Sequence, residues 1–128
     1  MDAYAALSAV HADLDQIAGV TTCRIGLEPD IAPEDYPIIR IVPVRIEKGG
    51  HNSRRSAAIT VYVAVDVDAF ESGMGAVYDA LLDLEAQILE RMRGGGGWRA
   101  AHVDTLFDDQ VREHYQVMAC RFSLEWML

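Results

Sequence analysis

Apolar residues along this chain keep two rhythms, one of three to four residues and one of two. Over residues 3–18, Leu7, Val10, Leu14 and Ile17 draw one stripe with Asp13 and Asp15 off it, predicting an amphipathic helix that Gly19 stops. At TTCRIGLEP, residues 21–29, the period changes. Cys23, Ile25 and Leu27 alternate with Thr22, Arg24 and Gly26, which predicts a half-buried strand ended by Pro29. Residues 29–37 hold three of the four prolines and no period, so they read as a loop.

The strongest β signals follow. IIRIVPVRI, residues 38–46, is β-branched and partly alternating. Pro43 has no N–H for a ladder and implies an edge position or a bulge there. AAITVYVAVDV, residues 57–67, sets Ile59, Val61, Val63, Val65 and Val67 on one face, with Thr60 and Tyr62 on the other. The polar stretch EKGGHNSRRS between them, residues 47–56, is too long for a tight turn, so the pair is predicted to form an extended hairpin. After a connection at 70–75, a second helix is expected over 76–93. Val77, Leu81, Leu84, Ile88 and Met92 form its inner stripe, Leu82 and Leu89 widen it, and Arg91 and Arg93 suit the C-terminal end of its dipole. Gly94 to Gly97 then break the helix. WRAAHVDTLF (98–107) and EHYQVMACRFSLEWML (113–128) read as two closing strands joined by DDQVR.

The order α-β-β-β-α-β-β, with no linker or repeat, predicts a single α+β domain spanning 1–128: one mostly antiparallel sheet of about five strands with two helices on one face. The other face stays free, and it carries more apolar side chains than solvent exposure explains, which invites a partner. With 128 residues, 51% of them hydrophobic, the chain fills one core and not two. No apolar run reaches the roughly 18–20 residues a membrane helix needs. The N-terminal MDAYAALSAVHADLD carries acids where a secretory signal carries bases, so a soluble, cytoplasmic protein is expected. Eleven Lys and Arg against twenty Asp and Glu give a net charge of −9, which works against a phosphate-neutralising surface.

Candidate chemistry adds little to that picture. The run Gly94–Gly97 follows a helix and precedes a strand, with no Lys or Ser/Thr beside it, so it reads as a turn and not as a phosphate cradle. Asp66, Asp68 and Glu71 have a spacing that can hold a hard cation, but they stand where polar residues mark a strand exit. His102, Asp104, Asp108 and Asp109 read as a solvated hairpin turn. Neither CxxC nor HxxxH occurs, which argues against zinc. Cys23 and Cys120 read as buried thiols, with a disulfide open if their strands are adjacent. Of the four histidines, none sits in a context that pairs it with a nucleophile, so no catalytic, metal or cofactor residue is assigned and an enzyme is not expected.

One segment stands out in so acidic a chain. Arg45, Lys48, Arg54 and Arg55 cluster around the loop 47–56, where Gly49 and Gly50 give mobility and His51 and Asn52 add polar groups. Three readings stand: a solvated hairpin loop, an arm that orders against an acidic surface of a neighbouring subunit, or a contact for passing DNA.

With its N-terminal helix, the hairpin of PIIRIVPVRI and ITVYVAVDV, a second helix and the ending FDDQVREHYQVMACRFSLEW, the chain resembles the tail terminator and tail completion proteins of tailed bacteriophages and prophages. The resemblance covers nearly the whole length and rests on element order and strand style. It implies a structural virion protein, made in the host cytoplasm and carried in the tail. Copies form a ring, usually a hexamer, that caps the tail tube, ends its elongation and presents a docking surface to the head–tail connector. DNA passes through the ring without specific binding. On this reading the assembly interface includes Arg45, Lys48, Gly49, Gly50, His51, Asn52, Arg54, Arg55, Tyr115 and Met118. Another phage neck or head–tail joining adaptor, or a small-ligand-binding α+β domain, is the alternative.

Overall fold

The structure, a computed structural model, describes residues 1–27, 31–48, 53–108 and 114–128. Helix α1 (Ala3–Leu14) starts at Asp2, whose carboxylate accepts the Ala5 N–H at 2.7 Å, and it buries Ala6, Leu7, Val10 and Leu14. It ends earlier than the periodicity predicts. Asp13 and Asp15 crowd the negative end of the helix dipole, and a tighter turn takes over, with the Ile17 N–H on the Leu14 carbonyl at 3.2 Å. Ile17 stays in the core regardless. Helix α2 (Met74–Arg91) buries Val77, Leu81, Leu84 and Ile88, with Met92 buried just past its end. Leu89 packs at the core margin, whereas Leu82 faces solvent and does not widen the stripe.

Five strands, β1 (Thr22–Ile25), β2 (Ile38–Lys48), β3 (Arg54–Asp66), β4 (Trp98–Phe107) and β5 (Tyr115–Met127), form one sheet in the order β1-β2-β3-β5-β4. Among the described residues only β1–β2 is parallel. One face, carrying Ile39, Ile41, Ile59, Val61, Val63, Met118, Cys120, Phe122 and Leu124, forms the core together with α1 and α2. Pro43 lies on β2 beyond the last β1 pairing, and the register shifts between Pro43 and Arg45, so it occupies an edge and a bulge at once.

A parallel pair needs a crossover, and here it comes from residues 26–37. Its described part, residues 31–37, lies over the face opposite the helices. The Thr21 N–H donates to the Pro37 carbonyl at 2.9 Å, and the Tyr36 ring stacks on Tyr115 with centroids 6.0 Å apart. Ile38 and Arg40 on that face are 2% and 4% exposed as a result. The far face is therefore covered at its β1–β2 end and open only towards the hairpin tip, which corrects the expectation of a wholly free face. Both cysteines are free, and β2 and β3 separate their strands, so no disulfide joins them. Burial pushes the Cys23 thiol up to about 12 and the Cys120 thiol to about 11. Among the described residues no helix is long and apolar enough to cross a membrane.

Candidate functional site

The β2–β3 hairpin is an arm. β2 is buried from Ile38 to Ile41 and exposed from Pro43 to Lys48, because β1 covers only its first half. β5 continues alongside β3 to the pair Arg54–Met127, so the arm is backed on one side and bare on the other. Cross-strand partners share a face, which sorts the basic residues. Arg55 pairs with Lys48, and the adjacent pair Ala57–Ile46 fixes the helix side of the arm, so Lys48 and Arg55 are separated from Arg45 and Arg54 on the far face. The cluster is thus divided between two faces and not gathered into one patch. Part of it is also engaged: Arg45 pairs with Glu47, and the Arg55 Nε–H donates to the Glu47 carbonyl at 3.4 Å. Gly49, Gly50, His51 and Asn52 lie outside the described residues.

On the open part of the far face, two ion pairs bridge β4 and β5. Arg121 binds Asp104 through two nitrogens, and Arg99 meets Glu125 at 2.7 Å. Hydrogen bonds from these guanidinium groups hold both carboxyls below their ordinary range. A carboxyl whose folded pKa is depressed adds stability above its unfolded pKa, near 4, and loses it as the pH falls through the folded value. We expect the urea midpoint of the wild type to exceed that of an Asp104→Asn, Glu125→Gln double variant near neutrality, the gap closing as the pH falls below the ordinary carboxyl range and through the depressed folded values. A gap independent of pH would show that the pairs are not its source. Beside these pairs runs a groove of about 550 Å³, bounded by Val44, Arg45, Tyr62, Val103 and Arg121.

The two remaining interface candidates part company. Tyr115 stands half-buried on the far face beside Tyr36, at the opposite end of the sheet from the arm, roughly 40 Å along β5 at about 3.3 Å per residue. It borders a cleft of about 350 Å³ under the crossover, with Ile38, Arg40 and Tyr62. Met118 is wholly buried against the helices, in line with Cys120 and Phe122. It is a core residue, and its assignment to a contact surface is corrected.

Four of the exposed apolar side chains lie at the two edges of the sheet. Val44 and Ile46 stand on the bare half of β2, 66% and 42% exposed, while Val103 and Leu106 on β4 are 61% and 50% exposed. Their strands sit on opposite sides of the sheet. No rule of period marks an edge, since strand order is set by tertiary pairing.

Several described members of the polar clusters have structural partners. Asp66 accepts the Asp68 N–H at 3.0 Å as a turn cap, Asp68 pairs with His114, and a His102 ring nitrogen lies 2.8 Å from the Thr105 hydroxyl. The glycine run makes a turn, with the Gly95 N–H on the Trp98 carbonyl at 2.9 Å. A set that sequence spacing left unmarked does assemble: His11 and Asp15, one helical turn apart, meet Cys23 of β1 with one ligand atom from each lying within 4.8 Å of the others. The i, i+4 pair was legible in the sequence, but its third member comes from the docking of β1. A scan against protein-family models and a search of curated proteins find no match to the chain.

Proposed function

We propose that this chain is a structural assembly subunit of the tail-terminator kind. Copies associate side by side into a ring that ends the growth of a tail tube and offers the head connector a docking surface. The observation that supports this reading is the placement of exposed apolar pairs on opposite edges of one sheet, Val44 with Ile46 and Val103 with Leu106. One edge of a copy then meets the other edge of the next. Such a contact is heterologous, and it closes into a ring when the rotation per subunit divides a full turn. Pro43 and the bulge interrupt the ladder on the β2 edge, so side chains, more than added backbone hydrogen bonds, carry the contact. The net charge of −9 per copy suits an opening through which a polyanion passes without sticking.

The test is direct. The tail-tube protein from the same genome is allowed to polymerise with increasing amounts of this chain, and tube lengths are measured by electron microscopy. Tubes should shorten as the ratio rises, with a ring visible at one end. Tubes of unchanged length and bare ends would refute the proposal.

A further inference from the structure

We propose that His11, Asp15 and Cys23 form a zinc site at the junction of α1 and β1. The first observation is geometric. One ligand atom from each residue lies within 4.8 Å of the other two. Tetrahedral zinc, with bonds of about 2.0–2.3 Å, holds its ligand atoms roughly 3.3–3.8 Å apart, so the set is at most about 1.5 Å wider than a bound ion requires. The second is the orientation of the imidazole. His11 Nε2 lies 2.8 Å from the Cys23 carbonyl oxygen. A carbonyl only accepts, so Nε2 is the donor and Nδ1 is the ring nitrogen left to bind a metal. A ring nitrogen bonded to a backbone carbonyl while the other stays basic is the usual outer-shell support of a metal-bound histidine.

The third observation is electrostatic. Asp15 occupies the C-cap of α1, the negative end of the helix dipole, where a cation is favoured and a carboxylate is not. A divalent ion beside it relieves that penalty. On binding, the Cys23 S–H bond breaks, its proton passes to solvent, and the sulfur pair bonds to Zn²⁺ with no change of oxidation state. Three protein ligands leave a fourth position, filled by water or by a group from a bound partner. Asp15 is exposed, His11 half-buried and Cys23 nearly buried, so the ion has a path from solvent.

Cobalt is the probe, because zinc is spectroscopically silent. Reduced, chelator-treated protein is titrated with Co²⁺ and followed by absorbance. A thiolate-to-cobalt charge-transfer band should saturate at one equivalent and disappear on adding Zn²⁺. Asp15→Asn, at an exposed position that leaves the fold intact, should weaken Co²⁺ binding at least tenfold, and Cys23→Ser should abolish the band while Cys120→Ser keeps it. Absence of the band in the wild type, or a band unchanged by Asp15→Asn and Cys23→Ser, overturns the proposal.

Discussion

Replacing Gly94 by alanine is expected to cost about 3 kcal/mol or more of folding stability, far more than the same change two residues on. A Cβ at Gly94 would stand 2.6 Å from the Trp98 carbonyl oxygen and 2.8 Å from the Arg99 Cα, and the residue holds φ +91°. Both atoms belong to the backbone of the turn that starts β4, so neither can swing aside. Trp98 follows this turn into the core beside Trp126, and moving it disturbs the β4–β5 pairing. At Gly96, φ is +60° and nothing lies within 4 Å of a built Cβ, so only the left-handed backbone penalty applies, about 1 kcal/mol. Urea unfolding of the two variants side by side measures the difference. Equal losses would mean that the clash at Gly94 is relieved by a turn the structure does not contain.

The second large effect concerns association. Val103→Lys with Leu106→Lys should leave folding nearly unchanged, since both side chains are at least half exposed. It should nonetheless remove two apolar contacts from every subunit junction and place cations opposite an edge that already carries Arg45 and Lys48. At roughly 1.5 kcal/mol for each buried side chain, that is about 3 kcal/mol per junction, or a hundredfold in the association constant. Sedimentation velocity over a concentration series gives the shift. An association constant unaltered by the double change would move the contact away from the β4 edge.

Much of this fold was legible in the sequence, for reasons that single residues make plain. Ile59, Val61, Val63 and Val65 alternate without interruption, and all four are buried. Pro43 announced an edge or a bulge and has both. The fate of Met118 was legible too, because it shares its parity with Phe122, Leu124 and Trp126, which are all buried. Parity on a strand decides the face, so its assignment to a contact surface missed a signal that was present. The parallel placement of β1 was of another kind. A period of two fixes which side chains point the same way and says nothing about which strand lies alongside. The crossover that hides Ile38 and Arg40 and the meeting of Cys23 with His11 follow from that pairing, whereas the division of the four basic residues between two faces follows from strand alternation and the bulge between Pro43 and Arg45. The edge bearing Val103 follows from strand order, which no local pattern encodes.

The association of copies into a ring is tested most directly by the solution mass of the purified chain, measured by light scattering alone and again with tail-tube protein. A mass of several subunits, in isolation or only once the tube protein is present, is the expected result, and it should fall to that of one subunit in the Val103→Lys, Leu106→Lys variant. A wild-type chain that stays at its monomer mass of 14.1 kDa in both conditions would contradict the assembly role.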